Sequence, residues 1–132
     1  MADTVNVEYI FKGRRRAIVR LSGLSDSTGE SAVKKVDLDD LAMGDNRAPD
    51  ALCLEKAEWS IQGYDYIELL WDRSPSDLPF ARYTSVGEIC YTGGLQDANR
   101  DQDGPGDVLL TTGGATSGAT YEILLHLRLK RV

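Results

Sequence analysis

The chain has 132 residues, with 21 aspartates and glutamates against 15 lysines and arginines, and a formal net charge of -6. That length suits one domain over residues 1–132, and a domain of this size buries roughly two-thirds of its unfolded surface, enough for a core without staples. The acidic balance disfavours a nucleic-acid binder, which needs a basic face for phosphates. No apolar run approaches the ~20 residues of a membrane span, and MADTVNVEY at the start has no export-signal pattern.

In chain order, the apolar period is two almost throughout. Val5, Val7, Tyr9 and Phe11 alternate with Asn6, Glu8, Ile10 and Lys12, which predicts a strand with the first set buried. Lys12-Gly13-Arg14 supplies a turn, and Arg15 to Leu24 a second strand, making a hairpin. SDSTGES at 25–31 reads as a loop, and residues 32–38 as a short strand. Gly, Asn and Pro prevent a long helix over 39–50, leaving room for one helical turn from Asp39 to Met43 capped by Asp37 or Asp39.

The second half repeats the theme. Cys53, Ala57, Trp59 and Ile61 alternate with Leu54, Lys56, Glu58, Ser60 and Gln62, and Gly63-Tyr64-Asp65 turns the chain into a strand carrying Ile67, Leu69 and Trp71. Residues 73–85 read as a long loop, Val86 to Tyr91 as a strand, 93–106 as another long loop, and 108–112 as a strand ending at a glycine pair. The last strand gives the clearest signal: Tyr121, Ile123, Leu125, Leu127 and Leu129 face one way, Glu122, Leu124, His126, Arg128 and Lys130 the other. About eight short strands joined by long loops, with no amphipathic helix, predict an all-β fold: an antiparallel β-sandwich with the strand number of a jelly roll. Cys53 and Cys90 are too few for a disulfide framework and read as buried free thiols, with a single bridge as the alternative.

Few residues suggest chemistry. Asp97, Asn99, Asp101 and Asp103 place oxygen ligands at alternate positions before Gly104, as at the start of a calcium loop. Leu110, however, stands where the closing bidentate glutamate belongs, so a solvated turn is the plainer reading and no metal is assigned. His126 is the single histidine, set mid-strand with no nucleophile elbow in the chain, so no catalytic residue is assigned. Arg14, Arg15 and Arg16 beside the hairpin turn either solvate a strand edge or meet phosphates or an acidic protein surface, and of the two partners the protein surface is better supported. Ile18, Leu70 and Leu124 sit on otherwise polar strand faces, which points to a surface covered by loops or neighbouring subunits. Trp59 and Trp71 fall on apolar faces, so core packing is the default over a sugar platform.

GDVLLTTGGATSGATYEILLHLRLKR, residues 106–131, resembles the ending of small tailed-bacteriophage virion proteins, where a Gly-Asp-x-x-Leu-Thr-Thr strand, a small-residue turn and an aliphatic last strand with basic residues recur. AEWSIQGYDYIELLWD, residues 57–72, is similar to an earlier hairpin of the same proteins. The resemblance implies a capsid decoration or cement protein in the virion, made in the host bacterial cytoplasm. It implies a homo-oligomer such as a trimer, bound to the major capsid protein or other virion proteins. Arg14, Arg15, Arg16, Leu124, His126 and Arg128 are the expected contact residues. The alternatives are a neck, tail or baseplate subunit and, in another class, a calcium-assisted carbohydrate-binding β-sandwich; an enzyme ranks last.

Overall fold

A computed structural model describes residues 4–26, 29–41, 51–72, 78–96, 107–114 and 116–130. They form β1 (Thr4–Lys12), β2 (Arg16–Asp26), β3 (Val33–Val36), β4 (Ala51–Gln62), β5 (Tyr66–Trp71), β6 (Leu78–Tyr83), β7 (Val86–Gln96), β8 (Val108–Gly113) and β9 (Ser117–Lys130). Two antiparallel sheets result, ordered β1-β2-β9-β4-β7 and β3-β8-β5-β6. The pairings β2 with β9, β3 with β8, β4 with β7 and β5 with β6 nest inside one another. They are successive rungs of one long hairpin whose tip is β5–β6. Rolling that hairpin over sends alternate rungs to alternate sheets, and the β4–β9 and β5–β8 pairings complete each sheet. The expected jelly-roll arrangement is therefore present, with β1 added at one edge through the β1–β2 hairpin.

The core lies between the sheets. One side supplies Ala17, Val19, Leu21, Leu54, Ala57, Ile61, Tyr121, Ile123, Leu125 and Leu127; the other supplies Val36, Ile67, Leu69, Trp71, Val108 and Leu110. Every second residue of β9 from Tyr121 to Leu129 is buried, as its alternation requires. Trp71 is fully buried and stacks on Phe80 with ring centroids 4.0 Å apart. Trp59 is partly buried, stacks on Tyr83 at 4.2 Å and donates from Nε1 to the Thr84 carbonyl.

Several expectations change. The segment 73–85 was expected to be loop, yet it contains β6, and Pro79 is accommodated because β6 is an edge strand with its register shifted beside Leu70. β2 and β7 run on into segments expected to be loops, to Asp26 and Gln96. The expected helical turn is a 3₁₀ turn at Leu38–Asp40; its first amide, from Leu38, donates to the buried Asp107 carboxylate at 2.8 Å. Asp107 is thus the cap, reached across 69 residues of sequence, which no local pattern encodes. Cys53 and Cys90 are both free, but only Cys53 is buried.

One end of the sandwich encloses an ion pair. In the β3–β8 ladder Lys35 is an extra residue, lying between the pairs Lys34–Leu109 and Val36–Val108. Its ammonium meets Glu30 Oε1 at 2.5 Å, and the Tyr121 hydroxyl donates to Glu30 Oε2 at 2.7 Å. Both charged side chains are nearly inaccessible, at 2% and 6% exposure. Glu30 is fixed by its own backbone: its amide donates to Thr112 Oγ1, and its carbonyl accepts from the Thr112 amide.

Two tyrosines give the fold an alkaline limit. Burial, chiefly, pushes the Tyr9 hydroxyl from 10.0 up to about 12, against a partial offset from the Asp37 backbone; neighbouring Asp40, 3.2 Å away, adds to the rise. Burial and the 2.9 Å bond to Tyr91 push Tyr83 up as well. The unfolded chain loses these protons first. Stability is therefore full below about pH 10 and falls as pH rises towards 12. Urea midpoints measured from pH 8 upward should decline over that window, and less steeply in Tyr9→Phe; identical slopes for the two proteins would refute the assignment.

Candidate functional site: a groove on the outer face of the five-stranded sheet

Two bulges on this sheet redirect side chains. In β1, Tyr9 pairs with Val19 and Phe11 with Ile18, so Ile10 is an extra residue. Side chains alternate strictly in a ladder, and one inserted residue moves everything beyond it to the opposite face. Phe11 therefore leaves the inner face of Val7 and Tyr9 and stands outside, beside Ile18, with 52% of its surface exposed. In β4 the register against β9 shifts between Leu54 and Lys56, so Glu55 is the extra residue in that ladder; against β7 the surplus lies in β7, between Cys90 and Leu95. Leu54 and Ala57 face inward as the partners of Leu127 and Leu125, while Lys56 pairs outward with His126. Gly13 completes the arrangement: a Cβ there would lie 2.7 Å from the Phe11 ring, so only glycine lets the ring lie against this turn. The turn itself is closed by the Gly13 amide donating to the Arg16 carbonyl at 2.8 Å.

Between the bulges runs a groove of about 370 Å³ lined by Phe11, Arg16, Ile18, Glu55, Lys56 and His126. It continues past Phe11 into a wider depression of about 750 Å³ at the hairpin turn, lined by Gly13, Arg14, Arg15, Arg16 and Arg128. Glu55 lies between two guanidinium groups, 3.2 Å from Arg16 and 4.0 Å from Arg128. Lys56 meets Glu58 at 3.0 Å, and that hydrogen bond, then the charges of Glu58 and Glu88, raise its pKa. His126 Nε2 is shielded from solvent and has no hydrogen-bond partner among the described residues. Farther along the same face a smaller depression is lined by Glu58, Trp59, Ser60, Glu122 and Leu124, so the face is basic at the hairpin end and acidic beyond.

The structure brings Arg14, Arg15, Arg16, Arg128 and His126 around one continuous groove. Leu124 lies on the same face but in the acidic depression. Asp97, Asn99, Asp101 and Asp103 lie outside the described residues. Among the described residues no group of three His, Cys, Asp or Glu side chains is arranged to hold a metal ion. Sequence reasoning missed Phe11, which it placed inside, and Glu55 and Lys56, which it did not single out. A signal existed in both places. Ile10-Phe11 puts two apolar residues together in an alternating strand, and Leu54-Glu55-Lys56-Ala57 puts two charged residues between apolar ones. Each doublet marks an inserted residue, and the second corrects the expectation that Cys53 shares the face of Ala57.

No family model and no curated protein matches the chain. Solved structures of family 29 carbohydrate-binding modules do. One variant is 11% identical, with 97% of this chain and 93% of that chain covered and a TM-score of 0.43. Another, complexed with cellulohexaose, is 11% identical over 96% and 92% of the two chains, with a TM-score of 0.43. A further module of family 29 is 10% identical over 97% and 90%, with a TM-score of 0.40. These neighbours are named as carbohydrate-binding modules, not virion proteins. They correct the expectation of a capsid decoration, neck, tail or baseplate protein, and of the major capsid protein or other virion proteins as partners of a trimer. The segments behind that expectation, 57–72 and 106–131, contain the second half of β4 and all of β5, β8 and β9. An aliphatic strand after a small-residue turn is what the core and corners of any jelly roll require, so the pattern identifies the fold and not the protein.

Proposed function

We propose that this chain is a non-catalytic carbohydrate-binding β-sandwich that receives a glycan on the outer face of its five-stranded sheet, in the groove between the β1 and β4 bulges. The observation that carries this reading is a half-exposed aromatic ring standing over a groove walled by both donors and acceptors. A sugar presents C–H faces that pack on an aromatic ring and hydroxyl edges that need donors and acceptors together. Phe11 serves the first requirement; Arg16, Lys56 and Glu55 serve the second. An apolar pocket would leave hydroxyls unpaired, at a cost of about 1–3 kcal/mol each. Glycosidases ordinarily act with a pair of carboxyl groups flanking the scissile bond, whereas the described residues lining this groove include one, Glu55. That favours binding over cleavage.

Titration calorimetry and amide chemical-shift mapping against a panel of soluble plant, algal and bacterial polysaccharides test the reading. Saturable binding is expected, with shifts confined to residues 11–18, 54–57 and 126–128. Failure of every glycan to bind, or shifts confined to other surfaces, would end it.

A further inference from the structure

We infer that the ligand is an anionic glycan, one bearing carboxylate or sulfate groups, whose charges are held at the arginine end of the groove. This inference rests on the binding reading above and specifies its substrate class. Among the described residues, the two adjoining depressions are lined by five cationic side chains, Arg14, Arg15, Arg16, Lys56 and Arg128, against the single carboxylate of Glu55. They occur in a chain whose net charge is -6. The field of such a chain repels an anion over most of its surface, so a local basic groove concentrates anions at that place.

The partners of these cations are unequally assigned. Lys56 is engaged by Glu58, and Arg16 and Arg128 share Glu55. One carboxylate between two guanidinium groups leaves most of their donors unfilled, since each offers five N–H groups. Arg14 and Arg15 are exposed and have no carboxylate partner among the described residues. A guanidinium fork matches the paired oxygens of a carboxylate or sulfate.

Two further features favour a chain molecule over a small free anion. Phe11 lines both depressions, so a ligand extending from one into the other crosses the ring. Farther along the same face Glu58 and Glu122 reverse the sign of the field. A polyanion is therefore confined to the hairpin end and runs out over the β1–β2 turn, where Arg14 and Arg15 stand.

The test compares sodium polygalacturonate, dextran sulfate and uncharged dextran, with polyglutamate and a single-stranded DNA oligonucleotide as non-glycan polyanions. Tighter binding of one or both charged glycans than of dextran, by about tenfold or more, is expected. Affinity should fall as salt rises from ~0.05 to ~0.3 M. Arg14→Ser/Arg15→Ser should lose about tenfold for the charged glycan and so narrow its lead over dextran. Both positions are exposed, and an unaltered melting temperature verifies that the variant is folded. Polygalacturonate preference identifies the group as carboxylate, and dextran sulfate preference as sulfate. Equal, salt-insensitive binding of dextran overturns the inference and leaves the binding reading standing. No binding to any glycan overturns both. Equal binding of polyglutamate or DNA overturns the inference in favour of general polyanion capture.

Discussion

Replacing Lys35 with methionine lowers the unfolding free energy by about 3–5 kcal/mol, because it leaves the Glu30 carboxylate buried without its counter-charge. Against a total stability of roughly 5–15 kcal/mol for a domain, that is a large fraction, and the melting temperature should drop by roughly 10–20 °C. The size of the effect follows from enclosure. An exposed ion pair is worth ~1 kcal/mol or less, but these two side chains are 2% and 6% exposed, and the Tyr121 hydroxyl fills the second carboxylate oxygen. Lys35→Met/Glu30→Leu should recover most of the loss, since an apolar pair has no charge to desolvate. A deficit of about 1 kcal/mol should remain for the lost hydrogen bond between Tyr121 and Glu30. Urea denaturation of the three proteins checks both statements. A loss below ~1 kcal/mol in the single variant would mean that water solvates Glu30, and the enclosed pair would then have no special role.

Removing the Phe11 ring separates binding from stability in the opposite sense. Phe11→Ala should weaken glycan binding by about tenfold or more, the equivalent of roughly 1.4 kcal/mol. The change in unfolding free energy should stay within ~1 kcal/mol, because a ring already 52% exposed loses little burial. Val19→Ala is the matching control. Val19 pairs with Tyr9 one step along the same ladder but faces inward at 0% exposure, so its truncation costs stability and leaves binding alone. Gly13→Ala adds an independent arm: its Cβ would displace the ring without removing it, so affinity should fall although the phenyl group is still present. Unchanged affinity in both Phe11→Ala and Gly13→Ala, in proteins that melt normally, would dismiss the groove as the binding site.

Much of the architecture was legible because period-two alternation is a direct record of a ladder with one buried face. Every inward position of the last strand was read correctly from Tyr121 to Leu129, and these are all buried. The β6 strand was illegible for a specific reason. Pro79 argues against a central strand, and only the sheet order reveals that β6 lies on an edge, where a strand accommodates proline. The candidate site was half legible. The arginines declared themselves by charge and by their place next to a turn. Phe11 and Glu55 did not, since alternation counted through an inserted residue assigns the wrong face to everything beyond it.

By itself, then, the sequence determined the class of fold and the identity of the inner face, because side-chain direction in a strand depends only on parity along the chain. It also determined that a basic hairpin would stand out in an acidic protein. The tertiary structure alone decided which strands are neighbours, since hydrogen-bond partners come from nested rungs far apart in sequence. It also decided where parity breaks. A bulge is a relation between two strands, so the groove formed by Phe11, Glu55, Arg16 and His126 exists only once β1, β2, β9 and β4 lie side by side.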